Sequence, residues 1–243
     1  MRLLEMTWQE AEAHFTKQPA VILPTGSVEQ HGPMGLIGTD AICAEEIAWR
    51  GADLADAIVA PTLAYAPAPF NMAFPGTMSL SVPLWQAMVT ELLAGLTEQG
   101  IQKIYVLNGH GANLAPLKAA AETCVADVRI RSWWDFDQVN QLRQTWYGDW
   151  EGMHATPSEV SITQATHRVI EPGDAETPPQ KLTPEFIRAH AGDKHGPPDE
   201  HRRSFPDGRV GSHSALARKE HGALLVEAAA ACLAADFRSF LES

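Results

Sequence analysis

Short apolar runs of strand length alternate along this chain with longer stretches of helical spacing. Ala20-Val21-Ile22-Leu23 ends in Pro and Gly, and Ala57-Ile58-Val59-Ala60 is closed by Pro61. Lys103-Ile104-Tyr105-Val106-Leu107 stops abruptly at Asn108-Gly109-His110-Gly111-Ala112-Asn113, and residues 128–134 alternate in part. Each of these reads as a strand. Before the first, Thr7 with Glu10 three residues on predicts a capped helix through Phe15. Residues 39–55 place Ile42, Ile47, Ala48 and Leu54 at helical spacing with Glu45, Glu46 and Arg50 on the other side, and residues 84–99 repeat the period until Gly100 stops it. Further helices are predicted from Leu114, over 136–146, from Thr156-Pro157-Ser158-Glu159 to Thr166, and over 219–241. Residues 61–83 are irregular, with Pro67, Pro69, Pro75 and Gly76, and an irregular segment of that length inside a compact domain points to function. Residues 171–208 are rich in Pro, Gly, His and charge and predict no regular structure outside 184–191.

Strands alternating with helices place the chain in the α/β class, with a mostly parallel sheet covered on both faces. No repeat or linker interrupts the pattern, so residues 1–243 read as one domain. Ligands of such sheets gather at the carboxyl ends of the strands. Glu29 and His31 follow the first strand, and His110 follows the third.

Composition narrows the classes of function. Hydrophobic residues are 45% and charged residues 20%, the balance of a globular enzyme. A formal charge of -12 and no basic cluster beyond Arg202-Arg203 exclude a nucleic-acid surface. The three cysteines, Cys43, Cys124 and Cys232, are far apart in helical patterns and read as small buried apolar residues, not as a disulfide framework or a thiolate zinc site. Glu5 interrupts the start of the chain where a signal peptide would continue its apolar region, and no apolar run reaches membrane-spanning length, so a cytoplasmic protein without membrane contact is predicted.

The candidate chemistry sits in the strand exits. Glu29 and His31, two residues apart on a Gly-flanked exit, can reach a common centre, and Asp40 lies on the same loop where a helix starts. Imidazole nitrogen mixed with carboxylate oxygen suits Zn, Mn or Fe(II), not an all-oxygen calcium cage. Helix N-termini at Asn113 and Thr156 present positive dipole ends to anions. A lone histidine in a loop is more often a surface hydrogen-bonding group than a ligand. It is the grouping of carboxylates and imidazoles at two strand exits that raises the metal reading.

These residues resemble the creatininase (creatinine amidohydrolase) family. Gly26-Ser27-Val28-Glu29-Gln30-His31-Gly32-Pro33 with Gly38-Thr39-Asp40 looks like its first metal-binding motif, and Asn108-Gly109-His110-Gly111-Ala112-Asn113 like its N-G-H-G-G-N motif. Phe74-Pro75-Gly76-Thr77-Met78-Ser79-Leu80 is similar to F-P-G-T-I/V-S-L. His154 with Glu159 lies in the register of H-A-G-x-x-E-T-S, and Gly211 through Glu220-His221-Gly222 resembles the last motif.

The resemblance implies a three-layer α/β/α sandwich, two divalent metal ions per subunit (zinc first, manganese or iron as alternatives), hydrolysis of a cyclic or linear amide, and a homohexamer built as a trimer of dimers. It implies Glu29 and His110 as ligands of one metal, His31 of the other, Asp40 as the bridge, and Glu159 as a further ligand or catalytic carboxylate. Metal-activated water would attack the amide, and His154 would protonate the leaving nitrogen. Trp150 with Asp149 and Glu151 would line the pocket. Creatinine-hydrolysing members carry Glu two residues after the motif histidine, where this chain has Ala112; Met34, Thr156-Pro157 and Ser212-His213 depart as well. Those departures argue against creatinine and leave a formamide hydrolase, a peptidase, or a non-catalytic metal-binding assembly subunit as alternatives.

Overall fold

The computed structural model describes residues 1–192 and 194–243. Strands β1 (Ala20–Thr25), β2 (Ile58–Val59), β3 (Lys103–Asn108) and β4 (Asp127–Ser132) form one sheet of order β2-β1-β3-β4 in which every pairing is parallel. The two central strands are buried along nearly their whole length. Their side chains alternate between two cores, as the period of two requires. Ile22, Tyr105 and Leu107 face a core shared with helices α2 (Thr39–Ala55), α6 (Pro157–Thr166) and α9 (Lys219–Glu242). Val21, Leu23, Ile104 and Val106 face the opposite core, against α3 (Val82–Glu98) and α4 (Leu114–Ala121). The architecture is therefore a three-layer α/β/α sandwich, as the sequence predicts.

Local signals account for the boundaries. Thr7 and Glu10 form a reciprocal capping box on α1 (Trp8–Phe15), and Thr156 with Glu159 forms another on α6, where Pro157 occupies the first turn. Gly100, at φ 91°, follows the C-terminal cap of α3 and opens the connection to β3. One boundary differs from expectation. Strand β4 stops at Ser132, because the Ser132 N–H donates to Asp135 Oδ2 at 3.2 Å and Trp133–Asp135 turn as a single 3-10 helix before α5 (Asp137–Trp146).

The stretch 171–208 holds two short helices, α7 (Pro184–His190) and an unforeseen α8 (Pro198–Ser204). Its composition disguises a helix signal: Pro198 opens α8, Asp199 and Glu200 sit in its first turn, and His201, Arg202 and Arg203 sit in its last. Asp193, within that stretch, lies outside the described residues. The cysteines also differ from the reading of three buried helical residues. Only Cys43 is buried; Cys232 is half-buried in α9, and Cys124 is half-buried beyond the end of α4. Among the described residues no helix is long and apolar enough to cross a membrane.

Candidate metal centre

The carboxyl ends of β1 and β3 are adjacent, with Thr25 in register with Asn108. The loops leaving these two strands are therefore brought together. Thr25 Oγ1 donates to Asn108 Oδ1 at 3.0 Å, and Asn113 Nδ2 donates to Gly26 O at 3.0 Å, tying the two exits to each other. Small residues let the segments close in. A Cβ on Gly109 would lie 2.3 Å from the Asp40 carbonyl oxygen, and one on Gly26 would lie 2.3 Å from Ala41 N. Gly109 thus does more than build a turn: it permits β3's exit to pack on the start of α2.

Glu29, His31, Asp40, His110, His154 and Glu159 are all buried and converge there. Their ligand atoms fall into three mutually close groups: Glu29, Asp40 and His110; His31, Asp40 and Glu159; and Glu29, His31 and His154. Asp40 presents Oδ1 to His31 Nε2 at 2.9 Å and Oδ2 to His110 Nδ1 at 3.0 Å, while Ser27 Oγ donates to Oδ2 at 2.8 Å. His110 Nδ1 and His154 Nδ1 lie 3.4 and 3.5 Å from Glu29 Oε1.

The outward nitrogen of each imidazole is held by a main-chain carbonyl. His110 Nε2 donates to Pro67 O at 2.8 Å, His154 Nε2 to Gln30 O at 2.7 Å, and His31 Nδ1 to Glu29 O at 3.2 Å. A carbonyl only accepts, so the tautomers are fixed, and the inward nitrogens face the carboxylates with lone pairs. Lone pair against carboxylate is repulsive unless a cation lies between them. The donor set therefore fits divalent metal, with main-chain carbonyls as the outer partners that orient imidazole ligands.

Protonation without metal shows the same demand for positive charge. Burial pulls His31 down, but Asp40, Glu159 and Glu29 outweigh it and push it up to about 10, so that a proton stands where a cation would. Asp40 would rise through burial, yet His31 and His110 hold it well below the usual carboxylate range. Burial raises Glu159 to about 7 against the pull of His31. Burial, with His31 alongside, keeps His154 well below the ordinary imidazole range.

Among the residues that support the centre, Asn71, Gly208 and Cys43 lie outside the motifs. Asn71 Oδ1 accepts from Gln30 Nε2 at 2.8 Å, and Gln30 Nε2 also donates to Gly208 O at 3.1 Å. The segment 74–80 braces the metal loop through Met78 N–H to Val28 O at 2.8 Å and Gln30 N–H to Thr77 Oγ1 at 3.1 Å. Cys43 lies beneath the centre, its Sγ donating to Glu159 O at 3.7 Å. Burial raises its pKa well above the usual thiol range, so it remains a thiol.

The centre opens into a cavity of about 250 Å³ walled by Asp40, His110, His154, Glu159, Trp134 and Arg143. Trp150 lies elsewhere: it packs on His213 at 5.5 Å between ring centroids and carries Lys181 Nζ over its face at 4.6 Å. Asp149 is exposed and pairs with Lys181. Glu151 is buried and pairs with Arg143. Trp133 and Trp134 supply the indole lining expected of Trp150. The Trp-Trp-Asp turn after an apparent strand is the signal that could have placed them.

An α/β/α sandwich with a buried carboxylate–imidazole centre at its strand exits defines a class of hydrolytic proteins. Residues 4–237 match the family Creatininase, described as creatinine amidohydrolase, and the chain belongs to that family of amidohydrolases. It is 26% identical over 207 residues to the creatinine amidohydrolase of Pseudomonas putida, covering 74% of this chain and 80% of that protein. A mycofactocin precursor peptide peptidase of Mycolicibacterium smegmatis is 33% identical over 121 residues, 47% of this chain and 49% of that one. A crystal structure of creatininase superposes with a TM-score of 0.80 at 24% identity, covering 98% and 97% of the two chains. A manganese form and a Zn–Zn form of creatininase superpose with TM-scores of 0.79 at 24% identity, each covering 98% and 97% of the chains.

Proposed function

We propose that this chain is a dinuclear metal-dependent amidohydrolase that cleaves the C–N bond of a small linear amide. The observation that carries the reading is the fixing of three buried imidazoles by main-chain carbonyls, each with its remaining nitrogen turned toward buried carboxylates. Glu29, Asp40 and His110 would hold one divalent ion and His31, Asp40 and Glu159 the other, Asp40 being common to both groups. Zinc or manganese at such a centre supplies a Lewis acid and an acidified water at neutral pH.

The chain's own groups do the rest. Ser27 Oγ and the Thr156 N–H hold the Asp40 and Glu159 carboxylates in place. His154 lines the cavity with Nε2 on the Gln30 carbonyl and Nδ1 3.5 Å from Glu29 Oε1. It takes a proton from the attacking water at Nδ1 and returns it to the leaving nitrogen, so its neutral state is the competent one at the start. Trp133 and Trp134 exclude water on one side of the cavity. Ala112 leaves out the carboxylate that creatinine-hydrolysing members carry, which favours a linear amide of the formamide or peptide type. An assembly role is disfavoured because a structural site is closed by its protein ligands, whereas this one opens into a cavity.

Metal analysis of protein purified without chelator, coupled to turnover of formamides, short peptides and creatinine, tests the proposal. Two equivalents of metal per chain and metal-dependent hydrolysis are expected; hydrolysis by stripped protein would overturn it. We also propose that residues 1–243 act as a single unit in a cytoplasmic homohexamer. Light scattering should then return six times the 26.4 kDa chain mass.

A further inference from the structure

Among the described residues lining the cavity, Arg143 carries the one permanent positive charge. It stands in the last turn of α5, with its guanidinium 5.7 Å from the centroid of the Trp133 ring and its side chain 16% exposed. Its Nε donates to Glu151 Oε1 at 2.8 Å, and its Nη1 donates to Asn140 Oδ1 at 3.0 Å and Trp134 O at 3.5 Å. Nη2 makes no hydrogen bond among the described residues. Glu151 is itself held by Ser158 Oγ. It therefore fixes the direction of the guanidinium without using up its donors.

A guanidinium is costly to enclose with donors unspent, and its planar fork matches a carboxylate. The charges around the site point the same way. Glu29, Asp40, Glu151 and Glu159 bring four negative charges, which two divalent ions would balance, leaving Arg143 as the surplus. Anionic ligands are then attracted and cationic ones repelled. The cavity, at about 250 Å³, is at the small end for ligand sites and limits the occupant to one or two residues' worth of atoms. Trp133 and Trp134 offer flat apolar surface to a side chain or acyl group.

We propose that the site takes amides bearing a free carboxylate, such as N-acyl amino acids or the C-terminal residues of short peptides, with that carboxylate docked on Arg143 Nη2 and the C–N bond set against the Glu29–Asp40–His110 group. This rests on the amidohydrolase reading above and names the substrate class of the same site. Arg143 is a specificity residue in this scheme: it selects the substrate and fixes which amide reaches the centre.

The test uses the metal-loaded full chain and matched pairs of probes: hippurate against hippuramide, and N-acetylglycine and glycylglycine against their carboxamides. Calorimetric binding and kcat/KM are read for each pair. The carboxylate member should be preferred about tenfold or more, the size of a charge-assisted hydrogen bond. Arg143→Gln should erase that preference and Arg143→Lys should recover part of it. Because Arg143→Gln leaves Glu151 without its partner, the double variant Arg143→Gln/Glu151→Gln repeats the measurement with both charges gone, and metal content and melting temperature are checked for each. Equal binding of the two members of every pair, no binding by any pair, or a preference that survives Arg143→Gln with metal retained would overturn the proposal. Amide hydrolysis without carboxylate preference defeats this inference and spares the hydrolase reading. Arg143-dependent binding without hydrolysis by any metal-loaded form does the reverse.

Discussion

Glu159 Oε1 accepts the main-chain N–H of Thr156 at 2.6 Å and lies 3.8 Å from His31 Nε2. One carboxylate thus closes the N-terminus of α6 and faces the metal centre. Stability and metal binding are separable here by choice of substitution. Glu159→Gln keeps an oxygen for the cap but removes the charge. Metal-free, it should melt near the metal-free wild type, and it should lose about tenfold or more in affinity for one of two metal equivalents. Thr156→Ala removes the hydroxyl that accepts from Glu159 N–H and should cost about 1 kcal/mol. Metal titration with thermal melts of both variants checks this; full two-ion affinity in Glu159→Gln would contradict it.

Gly109→Ala drives a methyl group onto the Asp40 carbonyl oxygen, a backbone atom that cannot swing aside. The substitution should destabilise the chain by about 1–3 kcal/mol and weaken metal binding, since Asp40 must move. Denaturant unfolding and metal analysis would reveal it. A variant that unfolds and loads like the wild type would show that the strand exits are not so tightly apposed.

Removing the metal should lower the melting temperature more than any single surface substitution. Ions that bind only the folded chain stabilise it by about 2.7 kcal/mol at a hundred times their Kd. Dialysis against chelator followed by zinc or manganese should lower and then restore the melt. A melting point indifferent to chelator in protein proven metal-free would argue against a resident metal.

The α7–α8 segment carries a pH dependence of its own. His201 is held down to about 4 by burial and by His190, and His195 to about 4 by burial, His201 and His190. Both rings pack on Phe70, and His201 also meets Phe205. The native state keeps these rings neutral while the unfolded chain protonates them near 6.5. Their contribution is therefore complete above about 6.5 and is lost as pH falls toward 4. Hydrogen exchange should show residues 184–190 and 198–205 opening faster at pH 5 than at pH 7, and His201→Phe should blunt the change. Equal exchange at both pH values would refute it.

Much of this was legible in the sequence where local rules act alone. The capping boxes at Thr7 and Thr156, the stop at Gly100 and the strand exits at Glu29 and His110 all rest on interactions within a few residues. The alternation of apolar runs with helical spacing was enough for the layered sheet. What stayed hidden depends on contacts between distant segments. Gln30, Asn71 and Gly208 meet across most of the chain, Arg143 reaches the cavity through the turn of α5, and Cys43 lies under Glu159 because α2 packs on α6. Trp150 was misplaced for the same reason: aromatic composition near a motif does not say which way the following turn points.

The two strands whose exits carry Glu29, His31 and His110 are hydrogen-bonded neighbours at the middle of the sheet. The rear wall of the centre is thus built from buried strands paired on both sides, the kind of element that opens last. Partial unfolding of that wall would be a costly route for an ion to leave by. Ions held as proposed would exchange through the cavity lined by Trp134, Met153 and Gly192, so their rate of release would report on that opening and not on the stability of the fold.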